Sequence, residues 1–499
     1  MKLRLRDGAL VGALLSAPFI AASYLGWRLA GLPFVPFDLF DWIARELPGS
    51  VVTAGIEAGV VLLRALHAGS TSAAAKSAEQ GVALAVFVAA AAIAGSLLFA
   101  VLRLSDEPAL LFGGILGGLL GGSTLLVEQR LRRIESHPLA DAAWILGTFL
   151  AWGLAFGWAH DQLRSDPRLN RRAFLTRIAC AAGVPALLTA AWGLATGSRR
   201  VAIGARWSDA HPLPNAGANV TPVRGTRPEF TPLEDHYRID VNTRPPVMDQ
   251  AEWRLRIGGL VDSPLTLTLD DLRREAPLHQ FVTLACISNP IGGDLIGTTR
   301  WTGVSVQQLL ARVQLTPGAS HLKITSADGF FEIVALDTIK NDPRVMLTYA
   351  WDGVPLLMEH GFPLRIYIPD VYGMKQPKWI ERIDVVDRWE PGYWVARGWD
   401  REGRMEATSV VDAVNGASIG GIAHAGARGI SKVEVRVDDG AWHGASLRAP
   451  LSDTTWVIWR ADLPSASGDR VVTVRCNEGD GTPQAGSLHT KRVRFSSSP

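Results

Sequence analysis

At 499 residues the chain exceeds what one hydrophobic core serves, so more than one domain is expected. Its 50 Lys and Arg nearly balance 48 Asp and Glu, and the basic residues are dispersed or flank apolar stretches, which argues against a nucleic-acid partner. The cysteines Cys180, Cys286 and Cys476 are too far apart to read as a CxxC pair, a zinc spacing or a disulfide framework, so a chemically active cysteine acts alone.

The first 200 residues are rich in Ala, Leu, Gly and Val, with apolar stretches at 9–27, 81–102, 109–127, 141–159 and 173–195. Each is near the roughly 20 residues that cross a bilayer core, so five spans are expected. Val51 to Ala68 is interrupted by Glu57 and Arg64, seven apart and hence on one helical face, and reads as interfacial. Phe37 to Arg45 mixes aromatic and charged residues as a helix lying along a membrane surface does. A sixth span in this region would reverse the side on which the C-terminal half emerges.

The Arg-rich loops 129–136 and 164–172 flank the same span, so charge bias alone does not orient the bundle. Asn170-Arg171-Arg172-Ala173-Phe174-Leu175 resembles an internal twin-arginine export signal. Read so, or as an ordinary basic flank, it puts these arginines in the cytoplasm and the C-terminal half on the periplasmic or extracellular side. His67, His137 and His160 lie near the ends of the stretches, so the spans read as an anchor or docking surface rather than a haem bundle.

Residues 201–231, rich in Pro, Gly, Ala, Asn and Thr without periodicity, read as a linker. Beyond it, Trp253 to Ile257 and Leu265 to Leu269 alternate as strands, and Asp270-Asp271-Leu272 opens a helix. Thr283-Leu284-Ala285-Cys286 runs from an apolar strand into the loop Ile287-Ser288-Asn289-Pro290, leaving Cys286 at the strand's mouth. By position alone such a cysteine is usually a small core residue.

Four ordered blocks change that reading. Cys286 to Gly297, Thr299 to Val304, His360 to Arg365 and Tyr372 to Ile380 together resemble the molybdopterin-binding domain of the sulfite oxidase family. The resemblance covers roughly residues 230–499 and implies a molybdenum-molybdopterin cofactor with Cys286 as metal ligand and catalytic centre. A thiolate is a soft ligand suited to such a metal. His360, Arg365, Lys375 and Lys378 supply cations or donors for the pterin phosphate, although taken singly each is more often a solvated surface charge, Lys375 and Lys378 above all. The correspondence adds Gln376, Tyr237, Arg238 and Ser326 as cofactor contacts. Arg300 matches a recurrent arginine and fits a buried ion pair equally well.

Two departures bear on substrate. Sulfite-oxidising members carry arginines shortly after the cysteine, where this chain has Asn289 and Pro290, and the family's active-site tyrosine aligns with Trp399. Both weaken the expectation of an anionic substrate. After residue 391, Val433 to Val437, Trp456 to Trp459 and Val471 to Arg475 alternate between turns, a β-sandwich pattern similar to the family's immunoglobulin-like domain, which mediates dimers in relatives. Cys476 reads as a core residue there.

The expected architecture is multi-domain: an α-helical transmembrane bundle (1–200), the linker (201–231), an α+β sulfite-oxidase-type molybdopterin-binding domain (232–390) and an immunoglobulin-like β-sandwich (391–499). The expected activity is two-electron oxygen-atom transfer on a small molecule at the outer face of the cell membrane, either reducing a sulfoxide or N-oxide or oxidising a reduced sulfur compound. Electrons would pass to or from a separate carrier, a cytochrome, another haem protein or a quinone-linked protein, and a homodimer is possible. A non-catalytic docking or binding subunit of a membrane redox complex is the alternative.

Overall fold

The computed structural model describes residues 4–65, 71–104, 107–131, 138–165, 176, 204–463 and 468–495. The chain forms two compact units: Met1–Leu47 with Lys76–Val201 and Val241–Arg244, and Pro48–Ala75 with Ala202–Asp240 and Pro245–Pro499.

The first unit is helical. Four helices are long and apolar enough to cross a membrane: Leu5–Ala30, Ala73–Val101, Ala109–Leu131 and Pro138–Arg164. They coincide with the first four expected spans. The stretch 173–195, apart from Thr176, and the pair Arg171-Arg172 lie outside the described residues. We label the helices α1 (Leu5–Ala30), α2 (Val35–Glu46), α3 (Gly49–Ala65), α4 (Thr71–Val101), α5 (Ala109–Leu131) and α6 (Pro138–Ser165). Helix α2 covers the aromatic and charged stretch from Phe37. Helix α3, which clusters with the second unit, covers most of the stretch from Val51, and the side chains of Glu57 and Arg64 lie outside the described ones.

Lipid gives helices little hydrophobic reason to associate, so close backbone packing takes over. Helices α5 and α6 meet through Gly113, Gly117, Gly153 and Gly157, where a Cβ placed on Gly153 would stand 2.1 Å from the Gly113 carbonyl oxygen. Phe19, Phe87, Phe149, Trp152 and Phe156 fill the space between α1, α4 and α6, and the Trp152 indole donates to the Leu15 carbonyl at 3.0 Å.

The second unit is built on strands. One mixed sheet has the order β2-β1-β10-β5-β6, from β1 (Leu255–Gly259), β2 (Leu265–Leu267), β5 (His321–Ser326), β6 (Phe331–Ala335) and β10 (Ile380–Val386). Its β1 and β10 run parallel, the other pairs antiparallel. A second sheet has the order β3-β4-β7-β8, from β3 (Leu278–Ala285), β4 (Ile296–Ser305), β7 (Met346–Trp351) and β8 (Val354–Pro355), with β9 (Arg365–Tyr367) also on β7. Short helices α7 (Leu269–Arg274), α8 (Val306–Val313) and α9 (Leu336–Asn341) contribute apolar residues to the core between them. Helix α7 starts where the sequence indicates because Thr268 accepts from the Asp271 amide at 3.1 Å while Asp271 accepts from the Thr268 amide at 2.8 Å, a reciprocal cap.

The C-terminal part is a sandwich of two four-stranded sheets, β11-β12-β16-β15 and β14-β13-β17-β18. These strands are β11 (Thr408–Asn415), β12 (Ser418–His424), β13 (Ile430–Val437), β14 (His443–Gly444), β15 (Ser446–Leu447), β16 (Val457–Asp462), β17 (Gly468–Glu478) and β18 (His489–Phe495). Val411, Ile419, Val433, Trp459, Val472 and Cys476 belong to the shared core, so Cys476 is the buried strand residue expected. The first strand begins at Thr408, later than the expected boundary. Residues before it bond to the segment after β9, with the Tyr372 amide donating to Gly403 at 2.7 Å and the Met405 amide to Asp370 at 2.9 Å.

Residues 204–231, expected as a linker, follow an irregular but well-bonded path. Trp207 donates to the Asp352 carbonyl at 2.8 Å, Arg227 pairs with Asp412 at 2.8 Å, and Glu229 receives Arg448 at 3.0 Å. The lack of periodicity is real; the fixation comes from charged partners far away in sequence.

Candidate functional site

Cys286 follows directly on β3 and is 9% exposed. Its amide donates to Leu295 at 2.9 Å, and the Asn289 side-chain oxygen accepts from the Leu295 amide at 2.9 Å, closing the loop upon itself. Gly292, at φ +80°, and the Gly293 amide, donating to Pro290 at 2.7 Å, make the tight return. Ile291 and Ile296 pack against Val410, Ile422, Trp456 and Ile458 of the sandwich. Asn289 therefore shapes the loop rather than presenting a charge. Burial pushes the Cys286 thiol up, partly offset by hydrogen bonding at Ser288, and a bound cationic metal would reverse that preference.

Tyr237, Leu284, Leu295, Trp301 and Tyr367 pack in the same cluster as Cys286. Burial raises the Tyr237 phenol well above its ordinary range, and the Cys286 sulfur adds to the shift. The Arg365 guanidinium lies 4.6 Å from the centre of the Trp301 ring and donates to the His360 carbonyl at 3.1 Å. His360 packs against Trp351, with ring centres 4.5 Å apart, and against His236 at 5.7 Å. Lys378 donates to the carbonyls of Ile239 at 3.0 Å and Glu359 at 3.1 Å and stands 3.5 Å from Asp240, which Arg238 also reaches at 2.8 Å.

The electrostatics of this group are those of too many cations in too little water. Burial brings Arg365 down to about 10 and Lys378 down to about 8, the latter against the pull of Asp240. Burial brings His236 to about 4 and His360 well below its ordinary value, with neighbouring cations adding to both shifts. Several donors are buried without a partner: Arg238 Nη2, Ser326 Oγ and Arg365 Nε. Unpaired buried donors cost about 1–3 kcal/mol each, so their concentration around one set of cations fits an anionic ligand such as a pterin phosphate. Cys286 would hold the metal; His360, Arg365, Arg238, Lys378, Ser326 and Tyr237 would line the cradle.

Three further expected cofactor contacts, Lys375, Gln376 and Arg300, have partners within the protein. The Lys375 ammonium meets the fully buried Glu332 at 2.6 Å and the Arg401 carbonyl at 3.2 Å. Gln376 bonds the backbone of Ile368 and, at 2.8 Å, of Val371, fixing the loop after β9. Arg300 lies over Trp207, 4.9 Å from the ring centre. Adjacent strand residues face opposite ways, so Trp301 turning to Arg365 sends Arg300 to the other face of β4. Trp399 packs beside Trp394, ring centres 5.8 Å apart, in an aromatic group that also holds Tyr393.

Sequence reasoning missed His236. Its ring stacks on Tyr237 at 5.5 Å, and its place immediately before Tyr237-Arg238 was the only available signal. It also missed Tyr372, whose hydroxyl accepts from the Glu406 amide at 3.1 Å.

The Lys378 shift makes a measurable prediction for the cofactor-free protein. The unfolded chain keeps this proton up to about 10.5, whereas the folded chain releases it near 8. Unfolding therefore takes up a proton in that window, and stability from this group rises with pH. Chemical unfolding at pH 9.5 against pH 7.5 should show a gain of about 2 kcal/mol that Lys378→Met abolishes and that bound cofactor suppresses.

The oxidoreductase molybdopterin binding domain family matches residues 242–394. Mitochondrial sulfite oxidase of Macaca fascicularis is 26% identical over 290 residues, covering 47% of this chain and 53% of that protein. A protein of Azospira oryzae, provisionally described as the protein-methionine-sulfoxide reductase subunit YedZ1, is 29% identical over 153 residues, covering 31% of this chain and 56% of that protein. The solved sulfane dehydrogenase SoxCD of Paracoccus pantotrophus shares 21% identity at a TM-score of 0.49, covering 57% of this chain and 86% of that one. The chain thus spans about half the length of these two curated relatives. With a buried cysteine inside the matched segment and unsatisfied cations beside it, residues 242–394 form an oxidoreductase molybdopterin-binding domain similar to that of the sulfite oxidases, and the cofactor this domain indicates is molybdenum-molybdopterin.

Proposed function

We propose that this protein is a membrane-anchored oxidoreductase that moves an oxygen atom to or from a small, uncharged substrate at Cys286. The observation that carries the reading is the pairing of a buried cysteine at a strand mouth with Arg238, Arg365 and Lys378 gathered beside unpartnered donors. When bound, the cofactor supplies the two-electron chemistry. The protein's part is to hold the metal through Cys286, neutralise the phosphate and keep water out with Trp301, Tyr367 and Leu295.

A neutral substrate follows from the charges near the mouth. Asn289 and the glycines after Cys286 are used within the loop, and Arg428 on the sandwich side is taken up by Asp370, Glu478 and the Met405 carbonyl. No arginine on that loop is available to clamp sulfite. Reduction of a sulfoxide or N-oxide is the favoured direction: two electrons and two protons convert a sulfoxide to the sulfide and water. The four apolar helices and the arginine pair before residue 173 support a multi-pass anchor with the catalytic part on the periplasmic or extracellular side. The electron donor is a separate cytochrome, haem protein or quinone-linked carrier. The C-terminal sandwich takes the immunoglobulin-like role, and its place in the family suggests a homodimer.

The full-length protein, purified with its cofactor and supplied with a reduced viologen dye, is expected to reduce sulfoxides or N-oxides, with about one molybdenum and one pterin per chain. Purified protein devoid of molybdenum and pterin, or one that oxidises sulfite and ignores both neutral classes, would sink this reading.

A further inference from the structure

Tyr372 is unused by the cofactor cradle, yet it stands at the same strand mouth. The next residue, Gly373, lies against the end of β3: a Cβ there would be 3.5 Å from the Ala285 carbonyl oxygen and 3.1 Å from the Tyr237 hydroxyl. The tyrosine backbone is fixed by its amide bond to Gly403 at 2.7 Å. Its hydroxyl oxygen accepts from the Glu406 amide at 3.1 Å, which fixes the phenol while leaving the hydroxyl proton to donate. The side chain is half-buried. Burial raises its pKa, and the hydrogen bond from the Glu406 amide opposes that shift.

Resting on the oxygen-transfer reading above, we propose that Tyr372 orients the substrate by donating its hydroxyl proton to the substrate's oxygen, while the exposed Glu406 carboxylate disfavours oxyanions. A sulfoxide or N-oxide oxygen is a strong neutral acceptor and satisfies this donor directly. A sulfite dianion would gain the same hydrogen bond but meet the carboxylate of Glu406. Of the nearby cations, Arg428 is held by the carboxylates of Asp370 and Glu478, and Arg404 pairs with Asp370 at 2.9 Å.

The test uses the full-length, cofactor-loaded protein and Tyr372→Phe, which removes one oxygen atom. Dimethyl sulfone, a non-reacting oxygen acceptor, is titrated against the electron paramagnetic resonance signal of the half-reduced metal. The variant should bind it roughly three- to tenfold more weakly, the size of one neutral hydrogen bond, with molybdenum and pterin contents unchanged. KM for a sulfoxide should rise by the same factor with kcat nearly unchanged, because the bond is present in both bound and reacting states. Glu406→Gln should tighten inhibition by sulfite several-fold.

Equal sulfone affinities in wild type and Tyr372→Phe, or a wild-type signal that ignores the sulfone, would overturn the assignment. Loss of cofactor from Tyr372→Phe would overturn it too, by showing that the residue holds the cofactor. Absence of sulfoxide and N-oxide turnover by the wild type counts instead against the oxygen-transfer reading, and the sulfone titration separates the two failures.

Discussion

Cys286→Ser is expected to abolish turnover while the domain stays folded. The substitution removes the thiolate but little volume, and the backbone bonds that shape the loop, from Cys286 to Leu295 at 2.9 Å and from Asn289 to Cys286 at 3.0 Å, do not involve the sulfur. The loss should exceed the roughly 10- to 100-fold that follows removal of an outer-shell partner in metal sites, because a direct ligand is gone. Electron paramagnetic resonance and metal analysis should show an altered or missing molybdenum signal, while far-ultraviolet circular dichroism is unchanged. Retained activity in this variant would remove Cys286 from the metal.

Lys375→Met should act on stability first. Lys375 and Glu332 form a buried pair, 2.6 Å apart, and Glu332 is fully buried with its second oxygen unpartnered. Removing the ammonium leaves an uncompensated buried carboxylate, a change that costs about 3–5 kcal/mol in comparable pairs. Burial already raises the Glu332 pKa against the opposing pull of Lys375, so without the lysine the protonated form of this carboxyl should be favoured further. The double variant Lys375→Met with Glu332→Gln should recover much of the loss. Arg365→Ala offers the contrast, expected to weaken cofactor retention because its guanidinium belongs to the proposed cradle. Thermal unfolding with pterin content measured on the same samples distinguishes them: cofactor loss from Lys375→Met at temperatures where it is still folded would return that lysine to the site.

The contrast between Lys375 and Lys378 shows where sequence reasoning reached its limit. The two are three residues apart, both in the last of the four blocks, and both suit a phosphate. Only the fold puts Glu332, 43 residues earlier, beside the first and Asp240, 138 residues earlier, beside the second. Arg300 illustrates a different limit. Alternation along β4 would have separated it from Trp301, but the sequence does not say which face of that strand looks toward Cys286 until β3 and β7 flank it.

What the chain determines by itself is local and repetitive. Apolar stretches of span length, alternating strands, the Thr268 cap and the ordered blocks around Cys286 and Arg365 depend on neighbours within a few residues, so helices, strands and the position of the cysteine were legible. What tertiary structure alone decided is the state of each charge. Whether a lysine meets a carboxylate, a backbone carbonyl or a phosphate depends on partners brought together from distant segments and on how much water remains. In the low-dielectric space beside Cys286 that environment, rather than residue type, separates the cations of the cradle from those of the scaffold.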